Sequence, residues 1–366
     1  MGFKCGIIGL PNVGKSTLFN ALTNSSVPME KYPFCTIEPH IGIVPLPDMR
    51  LEILKQVYKP QKVIPTTLQF VDIAGLVKGA SKGEGLGNQF LSHIQSVDAI
   101  IHVVRCFQDN SISHIDSILD PQRDYEIVET EIILRDIEVV QNRINKISHR
   151  AKAGDQKTKK QLEILEKLLS LLNQGKLAKT YHASPEEIPF IKELGLLTTK
   201  PVIVVGNVSE DEIVSRTESE ITKKFKEFTL STGNIFLTLS AKLEYELSRL
   251  SDEEKKYFLK EWNLKEPGIN ELIRAGYSIL ELITFYTIES NICQAWTINR
   301  GTTAVKAAGI IHSSFEERFI KAEVRHWSLF EKVKSESKLR EAGQIKIEGK
   351  DYIVQDGDIM TFKLRQ

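Results

Sequence analysis

The sequence predicts an α/β protein whose first domain contains a mostly parallel sheet with helices on both faces. Short runs of consecutive apolar residues alternate with helical stretches, as is typical of strands in a sheet whose two faces are both covered. The predicted strands are 5–8, 41–44, 68–71, 99–104, 201–205 and 235–239, and the predicted helices among the first four are 16–23 and 88–95. A long stretch without such strands separates the fourth strand from the last two. We therefore predict that an insert interrupts this domain.

The insert, residues 107–200, is predicted to be an antiparallel helical hairpin. Its apolar residues recur at alternating steps of four and three, as expected for helices that pack along a narrow seam. The seam residues are Ile133, Ile137, Val140, Ile144 and Ile147 in the first helix and Leu162, Leu165, Leu169 and Leu172 in the second. Residues 153–155 form the predicted turn. The ranges 1–106 and 201–283 then make up the first domain.

A third unit, residues 284–366, is predicted to be a small α+β domain. A helical stretch at 268–283 leads into it. The predicted strands are 294–298, 346–347, 352–354 and 359–364, around a helix at 303–309. Turn signals at 349–350 and 356–357 separate the later strands. Cys35 and residues 48–60 carry no signal that predicts a structure or a role.

The overall charge is balanced, with 48 basic and 48 acidic residues, so no global field favours nucleic acid or membrane. Locally, residues 141–180 carry ten Lys and Arg against three Asp and Glu. Lys157, Lys159 and Lys160 lie near the predicted turn. Such a run fits a solvated helix face, and it equally fits a contact with an RNA backbone. The residues leave both interpretations open.

The cysteines indicate a reducing compartment. There are four of them, scattered and without metal-ligand spacing, and Cys5 and Cys106 lie in or beside apolar runs. Buried thiols are therefore expected. No apolar run reaches the roughly 18 residues needed to cross a bilayer. We expect a cytoplasmic protein that does not bind a membrane.

A phosphate-binding loop lies near the N-terminus. Residues 9–16 read Gly-Leu-Pro-Asn-Val-Gly-Lys-Ser, the G-x-x-x-x-G-K-[ST] pattern of P-loop nucleotidases, between a predicted strand and a predicted helix. Its backbone N–H groups form an anion-binding nest, Lys15 adds a charge for the outer phosphates, and the Ser16 hydroxyl can ligate Mg²⁺. The predicted nucleotide-binding residues are Asn12, Val13, Gly14, Lys15, Ser16 and Thr17.

Three further residues complete the predicted phosphate and metal site. Asp72 ends a strand in Phe-Val-Asp-Ile-Ala-Gly and is expected to hold Mg²⁺. The Gly75 N–H is expected to reach the γ-phosphate. Thr36 lies between the two motifs, where a loop that closes over Mg²⁺ and the γ-phosphate is expected. The predicted metal ligands are thus Ser16, Thr36 and Asp72.

Catalysis needs a group other than the glutamine that positions water in small GTPases, because Leu76 occupies that place. His114, in a polar stretch after the fourth strand, is the candidate, since an imidazole can orient water or accept its proton. An exposed histidine without a role fits the sequence equally well. Asn12 also has two interpretations, as a ligand for a monovalent cation such as K⁺ and as a turn-forming residue.

The base-reading motif departs from that of GTPases, which have Asn-Lys-x-Asp after the fifth strand. Residues 207–210 read Asn-Val-Ser-Glu, so Val208 replaces the lysine and Glu210 replaces the guanine-reading aspartate. A carboxylate facing N1 of adenine would oppose two acceptors, at a cost of roughly 1–3 kcal/mol. In this sequence the carboxylate is displaced from that place, which lowers the free-energy penalty for binding ATP. We therefore predict ATP binding with GTP tolerated, and expect Ser240, Ala241 and Lys242 to flank the base.

Together these residues resemble the Obg-like ATPases, the YchF family. The resemblance rests on residues 9–17, on Asp-Ile-Ala-Gly-Leu at 72–76, on Asn-Val-Ser-Glu at 207–210 and on the helical insert. Towards the C-terminus, residues 295–298, 301–303, 307–312 and 349–357 resemble the TGS module of that family. The resemblance covers nearly the whole chain.

The resemblance implies a fold, an activity and partners. The fold is a P-loop nucleotidase domain with an inserted helical hairpin and a C-terminal β-grasp domain of the TGS type. The activity is an ATPase with Mg²⁺ that also accepts GTP, with His114 and Leu76 matching family positions and with Asn207 and the Val208 backbone facing adenine. The implied partners are the ribosome, with the large subunit expected, and RNA; a monomer is expected.

These observations and the resemblance leave three candidate functions. The first is a slow ATPase switch that acts on the translation machinery. The second is a nucleotide-gated binding module for RNA or protein whose hydrolysis is incidental. The third, a GTPase, is disfavoured by Val208 and Glu210.

Overall fold

The computed structural model describes residues 3–24, 40–73, 94–108, 119–152 and 154–365. Within these ranges the first sheet has six strands, and all except one run parallel. Its strands, numbered in chain order, are β1 (Lys4–Ile8), β2 (Ile41–Pro45), β4 (Thr67–Asp72), β5 (Ala99–Arg105), β6 (Val202–Asn207) and β7 (Ile235–Leu239). The strand β3 (Lys62–Ile64) lies between β2 and β4 in the sequence but belongs to a second sheet. The strand order in the first sheet is β2-β4-β1-β5-β6-β7, with β2 antiparallel to β4. The predicted mostly parallel sheet is confirmed.

Helices cover both faces of the first sheet. Every residue of β5 is buried, which explains its uninterrupted apolar run. On β6, Val205 packs in the core that includes α1 and α10, whereas Val204 packs beside Phe225 of α7. The helices up to the second sheet are α1 (Lys15–Asn24), α2 (Met49–Tyr58), α3 (Pro121–Lys152), α4 (Gln156–Asn173), α5 (Ile188–Leu194), α6 (Glu210–Ser215), α7 (Glu220–Ser231), α8 (Ala241–Ser248), α9 (Asp252–Glu261) and α10 (Gly268–Ile279). Within the described ranges, no helix has the length and apolar character needed to cross a membrane.

The insert contains two long helices, α3 and α4, that pack side by side and are joined by a short connection. The apolar seam is wider than the predicted one. Ile164 and Leu168 are buried in it, whereas the predicted Leu162 is only half-buried. Phe190 and Leu196, from the segment after α4, also pack into this core. Because this segment packs on the two helices as a further layer, α3 and α4 need a broader apolar face than they would need to pack on each other alone.

A buried carboxylate fastens α3 to the segment that leads into β6 of the first sheet. Asp136 of α3 accepts hydrogen bonds from the Leu197 N–H at 2.8 Å, the Thr198 N–H at 2.8 Å and the Thr198 hydroxyl at 2.6 Å. Burial raises the pKa of Asp136, while these hydrogen bonds oppose the rise. The 3₁₀ helix that it holds, Leu197–Thr199, directly precedes β6. The base of the hairpin is therefore held at the strand that carries Asn207.

In the part of the chain that the structure describes, the second sheet has six strands in the order β11-β10-β12-β8-β9-β3. Its remaining elements are β8 (Leu282–Glu289), β9 (Ile292–Asn299), α11 (Ala304–Ile311), α12 (Ser313–Arg318), β10 (Phe319–His326), α13 (Ser328–Val333), α14 (Glu336–Glu341), β11 (Lys346–Glu348) and β12 (Asp358–Leu364). Successive side chains of β8 point to opposite faces, so Phe285 packs with α11 while Tyr286 packs with α2. Both faces of this sheet are covered.

Two local predictions in this region were wrong, and the strands β8 and β10 were not predicted. The predicted helix 268–283 ends at Ile279, because Glu281 has φ 53° and Leu282 begins β8. Residues 352–354 are not a strand in the described structure, where Ile353 makes only an isolated bridge to Thr303. The strand Phe319–His326 was missed, since charged residues interrupt its apolar pattern. Long-range pairing decided these elements, and short apolar patterns do not report it.

Residues 46–66, called the shared segment below, leave the first sheet after β2 and return to it at β4. In between, β3 pairs in parallel with β9, with Val63 opposite Cys293. Leu54 of α2 packs in one core with Tyr286 and Phe330. The predicted range 1–106 for the first domain thus contains a segment that lies in the second sheet.

Polar contacts reinforce this connection. Asp48 caps α2 and also accepts a hydrogen bond from the Tyr286 hydroxyl at 2.5 Å. Arg50 Nη1 lies 2.8 Å from Asp356 Oδ2, and the other oxygen of Asp356 accepts from the Thr284 N–H at 2.9 Å. The start of α2 is therefore bonded to two separate parts of the C-terminal region.

Candidate nucleotide-binding site

The phosphate-binding loop joins β1 to α1 in a backbone conformation that requires glycine. Gly9 has φ 148° and Gly14 has φ 98°, and both lie in the region that side chains disfavour. A Cβ atom on Gly14 would also lie 2.4 Å from Nδ2 of Asn207, and one on Gly9 would lie 2.3 Å from the Val103 carbonyl oxygen. Backbone conformation and close packing thus account for both glycines of the motif.

Lys15 lies across this loop with its side chain largely buried, at 7% exposure. Its Nζ donates to the Leu10 carbonyl oxygen at 2.7 Å. Burial lowers the pKa of Lys15 to about 8, and the nearby Asp72 carboxylate opposes part of the shift. Leu10 was not predicted as a site residue, because a backbone carbonyl carries no signal in the side-chain pattern.

Ser16 and Asp72 lie together at the end of the parallel strands. Asp72 ends β4, which pairs directly with β1, and Ile7 lies opposite Asp72 in the register. The Ser16 hydroxyl donates to Asp72 Oδ2 at 3.1 Å. A hydroxyl and a carboxylate are oxygen ligands of the kind that Mg²⁺ takes in proteins. The predicted pair of metal ligands is thus brought together in space.

Asn207 connects the phosphate-binding loop to the predicted base loop. Its Nδ2 donates to the Val13 carbonyl oxygen at 2.9 Å, and its Oδ1 accepts from the Ala241 N–H at 2.9 Å. The residue is buried, and the next residue, Val208, donates its N–H to the Leu239 carbonyl oxygen at 2.8 Å. One amide side chain therefore holds three loops in a single arrangement.

Two charged residues meet on the same side of the site. Lys242 Nζ lies 2.9 Å from Glu210 Oε2. Ser240, just before α8, accepts a hydrogen bond from the Leu243 N–H and so caps that helix. The sequence predicted that these residues lie near the base, but not that Glu210 and Lys242 form an ion pair.

Most of the predicted binding residues therefore lie around one site. Thr17 lies within α1, one residue after Ser16. Thr36, Gly75, Leu76 and His114 lie outside the described residues. Their predicted roles in metal binding and catalysis stay predictions.

Three features of this site define a P-loop nucleotide-binding protein. They are a phosphate-binding loop followed by a helix, an aspartate at the end of a neighbouring parallel strand, and an asparagine that ties this loop to the base loop. Family models agree with this class. Residues 4–167 match a model described as a 50S ribosome-binding GTPase, and residues 282–365 match the YchF-GTPase C-terminal family, described as a protein of unknown function.

The chain belongs to the YchF family, as the resemblance in its motifs implied. It is 46% identical to the ribosome-binding ATPase YchF of Haemophilus influenzae over 99% of each chain. It is 45% identical to the protein of the same name from Bacillus subtilis, again over 99% of each chain. The solved structure of the Schizosaccharomyces pombe YchF GTPase superposes with a TM-score of 0.89 at 37% identity, covering 99% of this chain and 98% of that one.

Proposed function

We propose that this protein is a ribosome-binding ATPase that hydrolyses ATP slowly and accepts GTP. One observation carries the proposal. Lys15, Ser16 and Asp72 lie at the phosphate-binding loop, and Asn207 of the altered base motif is hydrogen-bonded to that same loop. The names of the bacterial relatives support both the nucleotide and the ribosomal partner. Contact with the large subunit and RNA, a monomeric state and a cytoplasmic location are part of the proposal.

The described residues bind and orient the phosphates. Lys15 carries three N–H donors, and charged phosphate oxygens are stronger acceptors than the Leu10 carbonyl that accepts one of them. Ser16 and Asp72 would hold Mg²⁺, with Thr36 as a further proposed ligand. The metal supplies positive charge that neutralises the phosphates. His114 is proposed to orient the attacking water and the Gly75 N–H to reach the γ-phosphate, while Leu76 occupies the position of the family's leucine.

The backbone at Asn12 bears on the proposed K⁺ ion. Asn12 has φ 61°, a left-handed conformation that asparagine tolerates better than most residues. A turn therefore accounts for an asparagine here without a cation. The K⁺ interpretation stays a prediction.

Titration of ATP and GTP analogues against the purified protein with Mg²⁺ tests the base preference. We expect ATP to bind as tightly as GTP or more tightly, because Val208 and Glu210 have replaced the guanine-reading pair. Steady-state hydrolysis of both nucleotides should follow the same order. A strong preference for GTP in binding would overturn the ATPase assignment.

Ribosome or RNA contact is proposed for the tip of the hairpin, at the basic cluster of Lys157, Lys159 and Lys160. All three side chains are exposed, in the first turns of α4. Asp155 caps the start of this helix by accepting from the Lys157 N–H. Lysines at a helix N-terminus oppose the helix dipole, so helix stability does not explain their presence. A contact with a phosphate backbone would give them a role.

Replacing the three lysines of the basic cluster by glutamine should weaken ribosome binding and flatten its salt dependence. Each lost phosphate contact reduces the slope of log K against log salt by about 0.7–0.9. Sedimentation with ribosomes over a series of KCl concentrations measures this slope. The matched control replaces three exposed lysines on other helices, Lys224, Lys256 and Lys260. Equal loss in both variants would show a general charge effect, and unchanged binding would remove the hairpin tip from the interface.

A further inference from the structure

The ion pair between Glu210 and Lys242 bridges two loops at the base side of the site. β6 and β7 are parallel neighbours, with Asn207 opposite Leu239, so their C-terminal ends lie side by side. Glu210 is the first residue of α6, and Lys242 is the second residue of α8. The Nζ–Oε2 distance of 2.9 Å therefore spans the two segments that flank the base in the proposed function.

The backbone on each side of this ion pair is held independently of it. Ser209 caps α6 through the Glu212 N–H, and Ser240 caps α8 through the Leu243 N–H. Asn207 accepts from the Ala241 N–H, immediately before Lys242. Removing either charge should consequently change the position of a side chain and not the course of the two loops.

We infer that Lys242 is a specificity-determining residue for the purine, an inference that rests on the proposed function. Guanine offers N–H donors at N1 and N2, which a free carboxylate would accept, whereas adenine has an acceptor at N1. The ammonium of Lys242 engages Glu210 and withdraws its carboxylate from this edge of the base. The pair thereby lowers affinity for GTP and spares ATP an opposing acceptor.

The test compares Lys242→Met, which keeps the length of the side chain but removes its charge, with Lys242→Arg, which keeps the charge. Dissociation constants for ATP and GTP analogues are measured with Mg²⁺ at low salt. The pair is exposed, with side-chain exposures of 69% and 36%, so its effect is modest. Lys242→Met should shift the affinity ratio towards GTP by about two- to fivefold. Lys242→Arg should retain the wild-type ratio.

A double substitution identifies the partner. In a Glu210→Ala background, Lys242→Met should leave the ratio unchanged, because the carboxylate that it would release is gone. An unchanged ratio in the single Lys242→Met variant would overturn the inference. The same shift in both backgrounds would also overturn it, since Lys242 would then act on the base directly. Failure of the proposed function has a different signature, namely a wild-type protein that binds neither nucleotide or strongly prefers GTP.

Discussion

Replacing Lys15 by alanine should abolish nucleotide binding or reduce hydrolysis by roughly 10²- to 10³-fold, the usual effect of removing one charge-stabilising donor. Lys15 is the cation that lies inside the phosphate-binding loop, and its Nζ is already placed against the loop backbone. Binding of a fluorescent ATP analogue and steady-state phosphate release measure the two effects. Lys55→Ala, which removes an exposed lysine of α2, is the control. Unchanged turnover in Lys15→Ala would overturn the assignment of the phosphate-binding loop.

The pKa of Lys15 adds a pH dependence to this expectation. Burial lowers that pKa to about 8, so the free protein loses the proton of Lys15 as the pH rises through 8. Phosphate binding favours the ammonium, and binding above pH 8 must therefore take up a proton. ATP affinity should fall as the pH rises from 8 to 10. In Lys15→Arg this decline should disappear, because the guanidinium stays charged over that range.

The same shift has the opposite consequence for the stability of the free protein. An unfolded chain keeps Lys15 protonated up to its ordinary pKa of 10.5, whereas the folded chain does not. Between pH 8 and 10.5 the unfolded state binds more protons. The Lys15 contribution to the free energy of unfolding therefore increases with pH in this window.

Replacing Leu54 by alanine should destabilise the C-terminal sheet, although Leu54 lies more than two hundred residues earlier in the sequence than most of that sheet. Leu54 is 0% exposed and packs in the core that contains Tyr286 and Phe330. Large-to-small substitutions at such positions cost about 2–5 kcal/mol. Chemical denaturation measures the loss of unfolding free energy. Met49→Ala on the same helix is the control, since Met49 is 85% exposed and should change stability by less than about 0.5 kcal/mol.

Hydrogen exchange locates the effect of Leu54→Ala. The shared segment contributes β3 to the second sheet, and its Thr66 hydroxyl hydrogen-bonds to Thr297 of β9. Loss of the packing under α2 should therefore reduce amide protection in β8 and β9 as well as in the shared segment. If protection fell in residues 46–66 alone, the C-terminal sheet would not depend on this segment.

Much of the first domain could be predicted because its signals are local. The runs that became β1, β4, β5, β6 and β7 are buried on both faces, and such strands have continuous apolar sequences. The phosphate-binding loop is predictable for a different reason. Its geometry depends on glycines and a lysine at short, fixed spacing, and the structure places Gly9, Gly14 and Lys15 accordingly.

The C-terminal region was less predictable because its strands are defined by their neighbours. β10 has the sequence Phe-Ile-Lys-Ala-Glu-Val-Arg-His, in which charged residues interrupt the apolar ones. It becomes a strand through pairing with β11 and β12. β3 has only three residues and is identifiable only by its pairing with β9.

The sequence by itself determined the class of protein, the phosphate-binding loop motif and the loss of the guanine-reading motif, because each depends on residue types at short separations. Tertiary structure alone decided that the shared segment joins the second sheet, that Asn207 ties Val13 to Ala241, and that Lys242 pairs with Glu210. These contacts join residues 32 to about 230 positions apart. They depend on how sheets and loops pack, and no local pattern of apolar or charged residues reports that packing.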